Sequence, residues 1–312
     1  MKTNSFPDNF IPYAPMLYWE FPKDLRNDVT MYFGLHILNK LKDDFNFNKS
    51  ISSQIGGKHV YIDIELPGHL VTEKGRANVS IKETLFDKIY TICPFLVNKF
   101  NERLGEEKYI NIFYPLNKKH IPSNFEKRFD IFYTGHVYTN QNLFSKIVKP
   151  ILTENNHVCV AGGNSDKSGL NIRSVNHFDK LELNAQSRIT LSYDVQPASR
   201  GDFARAMIDS EIPHSFDVWG SPIWAQYKSR TFEGFFSKSV VMHLKDEFRI
   251  LEEFCEPDKH FIYFNDLNDF REKSKYILEN YDEFKPMTET AYNHAVDNFT
   301  IEAFCDKFIK EL

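Results

Sequence analysis

What this sequence lacks narrows it first. Its four cysteines, Cys93, Cys159, Cys255 and Cys305, are far apart and form no C-x-x-C pair. Neither a zinc site nor a disulfide framework is indicated, and scattered single cysteines read as reduced core residues. No stretch approaches the roughly 18 apolar residues that span a bilayer. The opening M-K-T-N-S-F-P-D-N-F has no apolar centre of the kind a signal peptide carries. The expectation is a cytoplasmic soluble protein, with peripheral membrane contact left open. Basic residues are not in excess: 38 against 43 acidic residues give a net charge of −5. That balance disfavours a protein whose main task is holding duplex DNA. There is no G-x-G-x-x-G, no Walker sequence, and no repeat or low-complexity segment.

What is present is an ordinary globular composition of unusual bulk. Hydrophobic residues make up 42% and charged residues 26% of 312 positions, enough chain for two domains and a large core, and 29 phenylalanines supply its volume. The first 30 residues, rich in proline and aromatics, read as an irregular start with one short strand near Met16. Val29 to Leu41 has apolar residues at helical spacing behind Asn27 and Asp28, and a helix is expected there. Lys58 to Leu66 alternates as a strand and is broken by Pro67-Gly68-His69. Asp63, Glu65 and His69 therefore fall near a strand C-terminus, where open α/β sheets place ligands. Glu65 or His69 is a candidate acceptor-side base; the alternative is a solvated strand edge and a turn histidine. Tyr109 to Tyr114 reads as a further strand. Asn117 to Lys127 is polar, lacks apolar periodicity and reads as a solvated linker. We accordingly divide the chain at 1–120 and 121–312.

The second half opens with the buried strand R-F-D-I-F-Y (Arg128 to Tyr133), then Thr134-Gly135-His136, then apolar helical periodicity from Leu143. A strand, a glycine turn and a helix let backbone and helix N-terminus approach a phosphate, which makes Gly135 and His136 candidates. Strands are expected at His157 to Ala161 and Ile189 to Asp194. The long 195–226 segment reads as loop with one short helix, either a lid or a surface elaboration. Ser229 to Glu247, S-R-T-F-E-G-F-F-S-K-S-V-V-M-H-L-K-D-E, combines a helix carrying Arg230 and Glu233 early with a buried strand. Arg230 can fork onto phosphate oxygens, and Glu233 can accept hydrogen bonds from two ribose hydroxyls.

This last stretch resembles the donor-binding helix of GT-B-fold glycosyltransferases, roughly S-x-R-x-F-E-x-x-x-x-G before a hydrophobic strand. It is closest to the bacterial and phage branch related to spore-coat glycosyltransferase-like proteins. The likeness covers residues 128–312 and extends to the ending, where D-L-N-D opens a helix and L-E-N-Y-D-E follows. It implies an α/β fold of two Rossmann-like domains facing each other across a cleft. The C-terminal one would hold a nucleotide-sugar: Glu233 on the ribose, Arg230 and Lys228 by the diphosphate, Gly135 and His136 in the donor loop, and Asp194 beside base or sugar. No cofactor and no metal are implied, since the nucleotide-sugar is itself a substrate. Two departures stand out: Ser237-Lys238-Ser239 replaces the usual glycine, and Ala225 stands where many retaining members carry an acid eight positions before the glutamate. The expected function is transfer of a hexose or pentose to an acceptor the residues do not name: glycan, lipid-linked sugar, protein or modified nucleic acid. A sugar-nucleotide epimerase of the same fold and a non-catalytic nucleotide-binding module are the alternatives.

Overall fold

The computed structural model describes residues 29–33, 58–63, 79, 81–135, 142–160, 170–197, 215–216 and 222–309. A first sheet is built from β1 (Val29–Phe33), β2 (Lys58–Asp63), β3 (Lys88–Thr91) and β4 (Tyr109–Asn111), in that order and all parallel. Helix α1 (Pro94–Leu104) connects β3 to β4, with Pro94 in its first turn and Gly105 closing it at φ 67°. The helix expected from Val29 is a strand over its first five residues. V-T-M-Y-F is β-branched and aromatic, and pairing with β2 overrides the helical spacing of its apolar positions. The continuation to Leu41, and the strand near Met16, lie outside the described residues.

The second sheet has six parallel strands: β5 (Phe129–Thr134), β6 (His157–Val160), β7 (Ile172–Arg173), β8 (Ser187–Ser192), β12 (Val240–Leu244) and β13 (Ile262–Phe264). Their order is β13-β12-β8-β5-β6-β7. The chain thus builds outward from β5 through β6 and β7, then returns to place β8 on the other side of β5. That reversal is the topological switch point, where doubly wound sheets open a crevice at their C-terminal edge. The helices between strands are α2 (Lys149–Thr153), entered through a π-helical turn at Phe144–Val148, then α3 (His177–Ala185) and α4 (Ser229–Phe236). The 195–226 segment is not all loop: β9 (Val195–Pro197), β10 (Ser215–Phe216) and β11 (Pro222–Ala225) form a small antiparallel sheet in the order β10-β11-β9. The short helix expected at 203–208 lies outside the described residues.

Helix α4 lies close against β8 and β12, and Gly234 permits it. A Cβ there would stand 2.6 Å from Val241 Cγ2 and 3.1 Å from Thr190 Cβ. The glycine missing after the helix has a counterpart in conformation: Lys238 occupies the left-handed region at φ 49°. A side chain there costs about 1–2 kcal/mol. Lys238 offsets this by an ion pair with Glu289 at 2.8 Å and by lying 4.5 Å from the Tyr292 ring centroid.

The chain ends in α5 (Leu267–Glu279), α6 (Tyr281–Asn298) and α7 (Ile301–Phe308). Asp266 caps α5 by accepting from the Asn268 and Asp269 N–H groups. Helix α7 packs back on the first sheet: Tyr90 donates to the Phe308 carbonyl at 2.5 Å, and the Phe304 and Phe308 rings lie 6.0 Å from the Tyr90 ring. The largest core therefore joins both halves, running from Val60, Tyr90 and Phe113 to Tyr227, Phe232, Phe299 and Phe304. The expected linker is only partly solvated. Lys127 is inserted, donating to the Ala185 and Ser237 carbonyls at 2.8 and 3.2 Å.

Candidate active site

The C-terminal ends of β5 and β8 converge on the start of α4. Asp194, fully buried just beyond β8, holds that start in place. Its Oδ1 accepts from the Lys228 N–H at 2.9 Å and from the Thr231 hydroxyl at 3.0 Å, and Ser192 bonds the same hydroxyl. Its other oxygen lies 3.4 Å from His243 Nε2 on β12. Asp194 Oδ1 thus supports the helix entrance from within, while its Oδ2 makes no hydrogen bond among the described residues. Lys228 turns toward the small sheet, where its ammonium donates to Gln196 Oε1 at 2.7 Å and to Gln226.

Arg230, in the first turn of α4, points across the switch point. Its guanidinium carbon lies 4.4 Å from the Tyr193 ring centroid and 5.1 Å from that of Tyr133. The two phenols bond each other at 2.9 Å. Gly135, at φ 148°, brings backbone against this cation, and a Cβ on it would stand 2.9 Å from Arg230 Nη2 and 3.0 Å from the Tyr133 hydroxyl. Only glycine combines that backbone conformation with that proximity. Burial raises the Tyr133 pKa well above its ordinary value, so the phenol stays neutral beside the cation. Among the described residues no carboxylate pairs with Arg230, and its buried Nη1 has no hydrogen-bond partner. A buried guanidinium left in this state costs several kcal/mol, and an anion placed there recovers it.

Glu233, one turn further along α4, faces α3. Its Oε1 meets Lys180 Nζ at 2.7 Å, while its buried Oε2 has no partner. Burial acts to raise its pKa, but Lys180, His177 and a hydrogen bond from Ser229 hold it below the ordinary carboxylate value. It is therefore an acceptor-only carboxylate at neutral pH. It also lines, with Ser229, Phe232 and Phe236, a small crevice against Tyr114, Pro115 and Leu116, the segment that leaves the first sheet. The first sheet comes close here as well, because the Ile92 carbonyl beyond β3 accepts the Tyr227 N–H at 3.1 Å.

The expected donor residues Gly135, Arg230, Glu233, Lys228 and Asp194 thus gather at the ends of β5 and β8 and the start of α4. Among the described residues Arg230 Nη1, Glu233 Oε2 and Asp194 Oδ2 are each buried without a hydrogen-bond partner, Asp194 Oδ2 having only His243 Nε2 at 3.4 Å. Glu65, His69 and His136 lie outside the described residues. Asp63 is not on a solvated edge: it is buried in an ion pair with Lys82, and neither side chain is exposed. Sequence reasoning did not find Lys180 or the tyrosine pair around Arg230. Lys180 lies 53 residues from Glu233 in a helix of ordinary pattern, and no local signal marks it. Tyr133 and Tyr193 had a signal, since both sit at C-terminal strand ends beside the switch point.

No protein-family model matches the sequence, and no curated protein matches it. Solved structures do match its shape. TarM superposes with a TM-score of 0.54 at 10% identity over 90% of this chain, which spans 54% of that protein's length. Anabaena HepE, solved with UDP and glucose, gives 0.57 at 10% identity, covering 91% of this chain and 77% of HepE. Sucrose-phosphate synthase from Thermosynechococcus elongatus gives 0.56 at 9% identity, covering 100% of this chain and 82% of that enzyme. All three are GT-B glycosyltransferases. At such identities the likeness speaks to architecture, and the architecture of this chain is the GT-B fold, with two Rossmann-like halves built on parallel sheets.

Proposed function

We propose that this protein is a glycosyltransferase that takes its sugar from a nucleoside-diphosphate donor. The observation that carries the reading is the buried Arg230 guanidinium, without a carboxylate partner among the described residues and set between two tyrosines and against Gly135 at the switch point. A diphosphate supplies the anion this cation lacks, and charge grows on that group as the glycosidic bond breaks, so Arg230 favours the transition state over the ground state. Glu233 Oε2 accepts from ribose hydroxyls. Lys180, bonded to Oε1, keeps the carboxylate ionised and fixed in direction. His136, Glu65 and His69 stay as candidates for the donor loop and the acceptor side. The proposed division assigns 1–120 to the acceptor side and 121–312 to the donor, with α7 packed back on the first.

HepE was solved with UDP and glucose, which puts UDP-hexoses first among donors to test. We further propose transfer without a divalent ion. Asp266 and Asp269, at the start of α5, are engaged: Asp266 caps α5, and Asp269 accepts from the Asn265 N–H and from Lys273.

A thermal-shift panel of nucleotide-sugars on the intact chain tests the reading. At least one should raise the Tm of the wild type and not that of Arg230→Met. A panel that shifts neither protein would overturn it. One observation favours a binding module instead: the position eight residues before Glu233 is Ala225, buried within β11. Donor binding without sugar release or transfer across acceptors would decide for that reading.

A further inference from the structure

The two strands that end at the candidate active site begin, at the opposite edge of the sheet, on a second concavity. A cavity of about 660 Å³ opens there. Its wall includes Lys127 just before β5, Arg188 in β8, Leu278 near the end of α5, Tyr281 and Lys285 at the start of α6, and Phe125. That volume falls within the roughly 300–1,000 Å³ of small-molecule sites. None of these residues takes part in the donor site. We propose that this cavity binds a small organic phosphate, with Lys127 and Arg188 on the phosphate and the Tyr281 and Phe125 rings against the organic part.

The charges on the wall favour an anion. Lys127 Nζ donates to the Ala185 and Ser237 carbonyls at 2.8 and 3.2 Å, and among the described residues no carboxylate meets it. An ammonium carries three donors, so one is left for a ligand. Arg188 gives Nη1 to Asp130 at 2.6 Å, which leaves most of its guanidinium donors available. The acids on the same wall are committed elsewhere. Asp282 pairs with Lys285 at 2.6 Å, Glu283 accepts from the Tyr276 hydroxyl at 2.9 Å, and Glu279 lies 4.0 Å from Lys275. Burial, then Lys238 and Arg188, lowers the Lys127 pKa to about 7, as expected of an amine short of a counter-charge. A doubly charged phosphate supplies that charge, and Lys127 is fully protonated beside it.

The size and the aromatic wall favour an organic phosphate over the bare ion, which would fill only a fraction of the space. Tyr281 is held by donating to the Lys238 carbonyl at 3.2 Å, and Phe125 by an edge contact with the Tyr292 ring at 6.0 Å. With Leu278 they offer an apolar side to a compact ring such as a sugar, while the cations fix its charged end. Strands β5 and β8 run from this cavity to Gly135 and Tyr193. A ligand here therefore leaves the donor site open, and the proposal does not depend on the donor reading.

The test is titration calorimetry on the full chain with glucose 6-phosphate, ribose 5-phosphate and inorganic phosphate at low salt. One site per chain is expected, preferring at least one sugar phosphate to inorganic phosphate by about tenfold. Lys127→Gln and Arg188→Gln should each weaken that binding about tenfold or more. Excess uridine diphosphate should not displace it. Each variant is checked for native circular dichroism. Arg188 is half-buried on the surface of the sheet edge, so a Lys127→Gln chain that fails to fold leaves the decision to Arg188→Gln. No binding of any of the three up to about 10 mM, binding undiminished in a folded variant, or displacement by uridine diphosphate overturns the site. Inorganic phosphate held as tightly as the sugar phosphates overturns the organic part of the proposal.

Discussion

Each half of the molecule buries a cation, and the two are treated differently. In the first, Lys82 closes on Asp63 and neither side chain reaches solvent. In the second, Arg230 is 9% exposed and, among the described residues, meets two phenols, a glycine backbone and an unfilled hydrogen-bonding direction. The first arrangement is complete as it stands. The second has no counter-ion among the described residues. That lack of a counter-ion at the open edge of a sheet, and not burial alone, is why we propose the anion site there.

The comparison breaks most visibly through stability. Lys82→Met should lose about 3–5 kcal/mol in denaturant unfolding, because it strands the Asp63 carboxylate inside. Arg230→Met should leave the chain equally or more stable, and an Arg230→Met chain that unfolds like Lys82→Met would refute the contrast. The same substitution should cut sugar transfer or donor hydrolysis about 100-fold or more in steady-state kinetics. Gly135→Ala acts at the same place: it should lower Tm, because a φ of 148° strains any other residue, and weaken donor binding by titration calorimetry, because its Cβ would crowd Arg230. Glu233→Gln, which keeps shape but not charge, should weaken nucleotide-sugar binding roughly tenfold, and uridine diphosphate and uridine should lose affinity alike if the contact is to ribose.

A further test concerns Lys127, a half-buried amine that donates to two carbonyls. Burial first, then Lys238 and Arg188, lowers its pKa from 10.5 to about 7. Between those values the unfolded chain keeps a proton that the folded chain has released. This group therefore makes stability rise with pH from about 7 to 10.5. Lys127→Met should lack that slope, so the stability of the wild type relative to the variant should grow across that window in unfolding titrations. A constant difference would show Lys127 to be charged when folded.

How much of this was legible in the sequence follows from how local each signal is. Helix α4 and β12 were readable residue by residue, because S-R-T-F-E-G-F-F and V-V-M-H-L carry their periodicity within themselves. Arg230, Gly135 and Glu233 were readable with them, as they sit at the strand–turn–helix junctions where ligand chemistry belongs. Strand β1 was misread because its pairing with β2, not its own pattern, decides its conformation. Strands β9 to β11 were hidden for the same reason: each is two to four residues long and exists through its partners. The Lys180–Glu233 pair and the cavity that gathers Lys127, Arg188 and Tyr281 are tertiary facts that no spacing announces. Asp194 was found, but its hold on the start of α4 was not legible, since a carboxylate that holds a helix start and one that holds a ligand look the same in a string of letters.

The backbone passes between the halves twice, once after β4 and once between α6 and α7, and the two passages touch. Leu116 N–H donates to the Phe299 carbonyl at 2.9 Å, and Ile301 N–H donates to the Leu116 carbonyl at 3.1 Å. Two chains bonded edge to edge behave as a ribbon, easy to flex across its plane and stiff against shear within it. Such a joint favours rocking of one half on the other over sliding, and on the proposed function it would set the line along which acceptor meets donor.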